Sequence, residues 1–276
     1  MFTREEVIKR LRKTVSSGTP IIGAGCSAGI IAKCAEIGGA DLIIVYSTGK
    51  SRLMGLPTVT IGDSNALTLE MGEEIINVVK NTPVIAGIEG SDPTRRMDKL
   101  LKKVIEIGFS GVINFPTLAL YDRNEYYRRS REDVGISFNK EVEMMKLARE
   151  MGLFTMAYVR YPDDARQMVK AGVDVICVHA GRTAGGLVGA KKTVTLQEAC
   201  NHIQNIARIA KSINPEIIVL CHGGPISKPE HTQYIYEHSC AMGFVGASSI
   251  ERIPIERAII ETVKAFKNQI IRRSDI

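Results

Sequence analysis

Cys221-His222-Gly223-Gly224-Pro225-Ile226 follows the apolar, β-branched run Ile217-Ile218-Val219-Leu220, and Gly243-Phe244-Val245-Gly246-Ala247-Ser248-Ser249 repeats the pattern further on. A strand that runs into glycine lets the backbone approach a ligand closely and turn N–H groups toward an anion. In a (βα)8 barrel the phosphate site commonly lies in the loops after the seventh and eighth strands, completed by the N-terminus of a short helix. The two segments take those positions. They predict an α/β (βα)8 TIM barrel with a seat for phosphate or carboxylate at its C-terminal mouth. The same glycines also suit plain tight βα turns.

Working outward, short apolar runs alternate with helical patterns, as parallel βα units require. Eight strands are expected, at residues 20–26, 40–46, 83–89, 111–115, 154–159, 173–179, 217–222 and 243–247. Leu42-Ile43-Ile44-Val45 is continuously apolar, as a strand buried on both faces should be. Val7, Ile8, Leu11 and Val15 recur at helical spacing ahead of the first strand, so an extra N-terminal helix over 4–15 should close the bottom of the barrel. Further helices are expected at 94–107, 138–151, 162–171, 196–213, 229–238 and 254–267, several with Pro in the first turn. A doubly wound sheet would need GxGxxG; Gly23-Ala24-Gly25-Cys26-Ser27-Ala28-Gly29 has one residue too many before its last glycine. No linker or low-complexity stretch interrupts 1–276, which reads as a single domain.

Composition sets the class. No apolar run reaches the ~18 residues of a membrane span, and the charged Met1-Phe2-Thr3-Arg4-Glu5-Glu6 is no secretory leader. The six cysteines show no CxxC or zinc spacing and read as reduced thiols of a cytoplasmic protein. The net charge of +6 is spread over clusters at residues 9–13, 123–131 and 272–273, without a nucleic-acid motif. It favours a small anionic metabolite as partner and argues against nucleic acid.

Chemistry in such a barrel collects where strands end at the top. His179 and His222 close neighbouring strands, so both imidazoles can meet in one pocket as an acid/base pair or metal ligands, or else serve loop backbone. Asp63 and Glu89 are the best-placed carboxylates, as general base or metal ligands; Asp63 equally suits a helix N-cap. Ser47, Thr48, Gly49, Arg160, Gly223, Gly224, Gly246, Ser248 and Ser249 are the candidate anion-binding residues. Glu251-Arg252 reads as a surface ion pair, with Arg252 within reach of an anion. No strand carries a lysine suited to a Schiff base. Residues 118–137 are long for a βα loop, usually ~2–6 residues, and hold Tyr121, Tyr126 and Tyr127, as expected of a lid or a subunit contact.

The stretches 46–52 with 62–66, 82–93 (TPVIAGIEGSDP), 108–117 (GFSGVINFPT), 220–226 (LCHGGPI) and 243–252 (GFVGASSIER) together resemble the phosphoenolpyruvate hydrolase-like TIM-barrel family. The resemblance runs nearly end to end. It implies kinship in fold to phosphoenolpyruvate mutase and isocitrate lyase enzymes, which act on α-keto or phosphoenol acids with Mg²⁺ through an enolate. It likens Asp63-Ser64-Asn65 to the loop whose Asp supports the metal, and Ser47-Thr48-Gly49 to an oxyanion-binding turn. The chain departs from that pattern at Ala86-Gly87-Ile88-Glu89, where the lyases carry a run of aspartates, and at Asn114, where they carry an acid. Asp63 and Glu89 are thus the metal candidates. In the related lyases the last helix often swaps between subunits. Here its stripe of Ile255, Ile259, Ile260, Val263 and Phe266 should cover the barrel, and Ile270-Ile271 beyond it points to a homo-oligomer.

Two functions follow from these readings. One is a hydrolase or lyase acting on a small phosphoenol or α-keto carboxylate, with backbone donors at the anion seat neutralising an enolate and the histidines moving protons. The other is a non-catalytic phosphometabolite sensor, which keeps the anion seat and needs no acid/base pair.

Overall fold

The computed structural model describes residues 1–271, so the basic pair Arg272-Arg273 lies outside the described residues. The chain runs α1 (Arg4–Ser16), β1 (Ile21–Gly25), α2 (Gly29–Ile37), β2 (Leu42–Val45), α3 (Thr48–Leu53), α4 (Ser64–Val78), β3 (Val84–Ile88), α5 (Met97–Ile107), β4 (Gly111–Asn114) and a 3-10 turn at Leu118–Leu120. It continues through α6 (Tyr126–Glu132), α7 (Phe138–Glu150), β5 (Phe154–Val159), α8 (Pro162–Lys170), β6 (Val175–His179), α9 (Leu196–Ile213), β7 (Ile218–His222), α10 (Pro229–His238), β8 (Gly243–Gly246) and α11 (Arg252–Lys267). Each strand pairs in parallel with the next, and β8 pairs with β1 to close the expected eight-stranded barrel.

Successive side chains of a strand point to opposite faces, and here both faces are packed. Leu42, Ile44, Ile85, Ile113, Phe154, Met156, Val175, Cys177, Leu220 and Val245 fill the lumen. Ile43, Val45, Ala86, Val112, Ala157, Ile176 and Val219 pack outward against the helices. Two apolar faces per strand explain why the strands read as continuous apolar runs rather than alternating ones.

The N-terminal helix closes the lumen as expected: Val7 and Leu11 are fully buried in the same cluster as the lumen residues. Thr3 caps it in a reciprocal box with Glu6. Arg4 donates to Asp174 at 2.6 Å, and Asp174 also accepts from the backbone N–H and hydroxyl of Thr155 on β5.

The last helix behaves differently from the expectation. Its apolar stripe does not cover this barrel: Arg252 is its one buried residue, while Ile259, Val263 and Phe266 are exposed at 58%, 60% and 77%. Ile270 and Ile271 beyond it are also exposed. No helix among the described residues is long and apolar enough to cross a membrane.

Truncating the plug tests its place in the core. Leu11→Ala removes a fully buried side chain and is expected to cost ~3 kcal/mol, read as a lower midpoint in chemical denaturation. A change below ~1 kcal/mol would mean that α1 is an appendage rather than part of the core.

Candidate functional site

The period-two series that fills the lumen ends in polar residues at the top. On β2 it passes from Leu42 and Ile44 to Tyr46, on β5 from Phe154 and Met156 to Tyr158, on β6 from Val175 and Cys177 to His179, and on β7 from Ile218 and Leu220 to His222. His179 and His222 are register partners of the β6–β7 pair. The four rings form the floor of a cavity of ≈ 790 Å³. The hydroxyls of Tyr46 and Tyr158 share a 2.7 Å hydrogen bond. The Tyr158 ring lies 5.3 Å from that of His179 and 5.0 Å from that of His222, and the two imidazoles are 4.6 Å apart at 69°.

Their hydrogen bonds give the imidazoles opposite tautomers. The Gly181 N–H donates to His179 Nδ1 at 3.0 Å, so the neutral ring carries its proton on Nε2. His222 Nδ1 lies 2.6 Å from the Val245 carbonyl, which can only accept, so Nδ1 holds the proton and Nε2 keeps a lone pair. Burial holds both rings neutral: it pushes His179 well below the ordinary range, with the His222 charge adding to the effect, and brings His222 down to about 4. The cavity thus presents one N–H donor and one basic nitrogen side by side.

The walls are cationic. Arg52, Arg131, Arg182, Lys191 and Arg252 line the cavity, against Glu89 as the sole carboxylate among the described residues lining it. Arg52 is buried, and its Nε donates to Glu251, which also accepts from the Ser27 hydroxyl at 2.6 Å. Arg252 is buried as well, holding Glu256 at 2.7 Å and the Gly185 carbonyl at 2.9 Å. Glu251 and Arg252 are therefore not a surface pair: Glu251 is 1% exposed and its cation is Arg52. The long segment after β4 supplies part of the wall, through Leu118, Leu120, Tyr121, Tyr127 and Arg131, whereas Tyr126 is exposed.

The other candidates divide sharply. Thr48 and Ser248 line the cavity; Thr48 Oγ1 accepts from Arg52 Nη1 at 3.2 Å, and the Ser248 hydroxyl lies 3.3 Å from that of Thr58. Ser47 and Ser249 are neighbours of the wall whose buried hydroxyls have no protein partner. Gly49 begins a helix rather than an open oxyanion turn: its N–H donates to Tyr46, and a Cβ there would lie 2.4 Å from that of Ser27. Arg160 turns to the Leu120 carbonyl at 3.0 Å and is not among the residues lining the cavity.

Gly223 and Gly224 also fall outside that lining. Their positive φ values, 78° and 58°, fold the loop after β7 onto the loop after β6. The Gly224 N–H donates to the Gly181 carbonyl at 2.7 Å, and a Cβ on Gly223 would sit 2.2 Å from the same oxygen. The close approach that glycine permits is made to protein backbone here. Gly246 likewise packs against Ile250, whose Cγ1 would lie 2.6 Å from an added Cβ. The cations of the cavity are side-chain guanidinium and ammonium groups, not glycine amides.

Asp63 caps α4, accepting from the Ala66 N–H at 2.9 Å, and pairs with Arg95; the amide and the guanidinium hold its carboxyl below the usual range. It does not line the cavity. Glu89 does, and burial raises its pKa. Mg²⁺ takes a full set of oxygen ligands, commonly one or two carboxylates with waters and substrate. Among the described residues no three His, Cys, Asp or Glu side chains converge on a metal position, and Arg95 already neutralises Asp63. Asp63 and Glu89 thus do not come together as one metal site: Glu89 lines the cavity and Asp63 does not.

Glu141 escaped the sequence reading altogether. Fully buried behind the cavity, it accepts from Asn114 Nδ2, the Thr117 hydroxyl and the Leu118 N–H, and burial raises its pKa to about 7. It fixes the start of the segment after β4.

The model of the family described as phosphoenolpyruvate hydrolase-like matches residues 6–269. The chain belongs to that family. A tomato (Solanum lycopersicum) relative, the ToMV susceptible protein tm-1(GCR26), is 45% identical over 267 residues, covering 95% of this chain. The chain spans 35% of that relative's length. Among solved structures, phosphoenolpyruvate phosphomutase from Streptomyces platensis subsp. rosaceus superposes with a TM-score of 0.65 at 16% identity, covering 94% of this chain and 87% of its own. A phosphonopyruvate hydrolase solved with oxalate and Mg²⁺ gives 0.62 at 18%, covering 98% and 90%. At these identities the two likenesses show a shared barrel fold.

Histidine NMR tests the site directly. His222 should titrate near pH 4, with its proton on Nδ1, and His179 should stay neutral below the ordinary range with its proton on Nε2. Unfolded histidines bind protons near pH 6.5. Between that pH and about 4 the unfolded state holds more protons, so stability should fall as pH drops through this window. A His222 midpoint near 6.5 would overturn the burial argument.

Proposed function

We propose that this chain is an enzyme acting on a small phosphoenol or α-keto carboxylate by hydrolysis or lyase-type cleavage. The observation that carries the reading is the tautomer pair at the cavity floor. His222 Nε2 is the proton acceptor, taking a proton from water or from a substrate hydroxyl. The resulting imidazolium keeps its Nδ1–H on the Val245 carbonyl. His179 works differently. Its Nδ1 accepts from a backbone amide, which has no proton to relay, so loss of Nε2–H would leave an imidazolate. Its role is to donate a hydrogen bond, as a neutral imidazole, to the oxyanion or enolate that forms.

The cationic wall supports an anionic substrate, and the absence of a strand lysine among the lining residues argues against Schiff-base chemistry. His222 returns its proton to the product carbon or leaving oxygen, closing the cycle. With phosphoenolpyruvate or phosphonopyruvate as substrate, His222→Gln is expected to lower kcat by at least ~100-fold, and His179→Gln by ~100-fold through loss of one oxyanion donor. Release of pyruvate and phosphate is the measurement. Full activity in both variants would overturn the mechanism, and tight binding without turnover by the parent protein would favour the sensor.

A homo-oligomer belongs to the same proposal. The exposed Ile259, Val263 and Phe266 of α11 form an apolar face with no cover among the described residues, and a second copy of the chain is the occupant proposed. Light scattering should show a dimer or higher assembly, and Phe266→Asp should shift it toward the 30.2 kDa monomer. A monomer at micromolar concentration would reject it.

A further inference from the structure

We propose that the buried guanidinium of Arg52 anchors a carboxylate of the ligand at the cavity floor, while Arg131 and Arg182 at the mouth take a second anionic group. The site would therefore select small dianions. The proposal rests on the reading of this cavity as the seat of an anionic substrate.

Arg52 arises on α3, just past β2, and its side chain is only 2% exposed. Glu251, reached from the far side of β1, fixes the fork through Nε, and Thr48 takes Nη1. Nη2 has no partner among the described residues although it is buried. A guanidinium with an unmet buried donor is costly to keep. Here it stands on a cavity wall, where a ligand oxygen would satisfy it. Thr48 accepts from Nη1, so its own hydroxyl hydrogen remains to be donated to the same oxygen. The neighbouring elements show the same deficit: Arg252 Nε, Ser47 Oγ and Ser249 Oγ, all on segments following β2 and β8, are buried without partners. Unmet donors concentrated at these two strand ends define the inner pole.

The outer pole is built from different parts. Arg131 lies over the Tyr127 ring at 4.7 Å, and Arg182 donates to the Thr58 carbonyl at 2.7 Å. Neither has a carboxylate partner among the described residues. The imidazoles share the cavity with both poles: the Arg52 charge reaches His222 and the Arg182 charge reaches His179. A ligand with anions at both ends would span His179 and His222, and its reacting bond would fall between them.

The outer pole, with Arg182 exposed and Arg131 half-buried, is screened by salt more than the buried inner one, which separates their contributions. The test follows the His179 and His222 ring signals by NMR while acetate, malonate or phosphonoacetate is added. Arg52→Gln is expected to weaken all three by ~30-fold or more. Arg182→Gln should weaken the two dianions by ~3- to 10-fold at low salt, leave acetate unchanged, and lose its effect at high salt. Phosphonoacetate against malonate decides whether the outer group is phosphonate-like or a carboxylate. Because Arg52→Gln strands Glu251, the double variant Arg52→Gln/Glu251→Gln removes the buried charges together and should bind as weakly as the single one. Unchanged malonate binding in a folded double variant would overturn the anchor even if turnover persists. Binding that needs Arg52 in a protein that turns nothing over would keep the anchor and sink the enzymatic reading.

Discussion

Every strand of this barrel is buried on both faces, so a polar side chain admitted to the lumen must find its partners inside the protein. The top layer meets that constraint completely on its inner side. Tyr46 and Tyr158 bond to each other, His179 accepts from a loop amide, and His222 donates to a strand carbonyl. What remains is one Nε2–H, one Nε2 lone pair and the hydroxyl hydrogen of whichever tyrosine accepts the shared bond. Burial then suppresses protonation of both rings. Tautomer, charge state and polarity of the site all follow from packing four polar rings on an apolar lumen.

The strands were legible because two buried faces leave no room for alternation, and all eight lie within the expected ranges. Helices with sequence grammar were legible too; α9 and α10 match their expected limits residue for residue. Four helices had no expected range: α4, of which only the Asp63 cap was noted, and α2, α3 and α6. Ala28 and Ser47 make no side-chain cap for α2 and α3, and α3 is six residues long. Helix α6 also lacks a side-chain cap and lies in the long segment after β4. The exposed stripe of α11 shows the limit of periodicity: it says that a face is apolar, not which surface covers it.

The site was legible where one strand end carried the signal. His179 and His222 could be placed because adjacent strands bring their termini together. Tyr46 and Tyr158 sat on the same period-two series, and continuing the lumen pattern by one more position would have found them. Arg52 and Glu251 are 199 residues apart, and no local pattern marks a contact made across β1. The glycines misled for a physical reason. Positive φ and close approach are real at Gly223 and Gly224, but a sequence does not say whether a ligand or a neighbouring loop is what comes close.

The balance of charge ties these parts into one chemistry. Of the five cationic side chains in the wall, Arg52 and Arg252 are paired with Glu251 and Glu256, so Arg131, Arg182 and Lys191 carry the charge that attracts an anion, just as Arg95 neutralises Asp63 outside the cavity. Guanidinium groups can hold carboxylates and neutralise developing charge, but they do not acidify a bound water as a metal does. A site organised this way needs its own base. In the proposed mechanism His222 supplies one; burial is what weakens it, the Val245 carbonyl restores part of its basicity, and the nearby Arg52 charge lowers it further. If a ligand carboxylate binds Arg52 as proposed, it would offset that charge and raise the basicity of His222. The proposed anchor and the proposed base would then be coupled through one guanidinium.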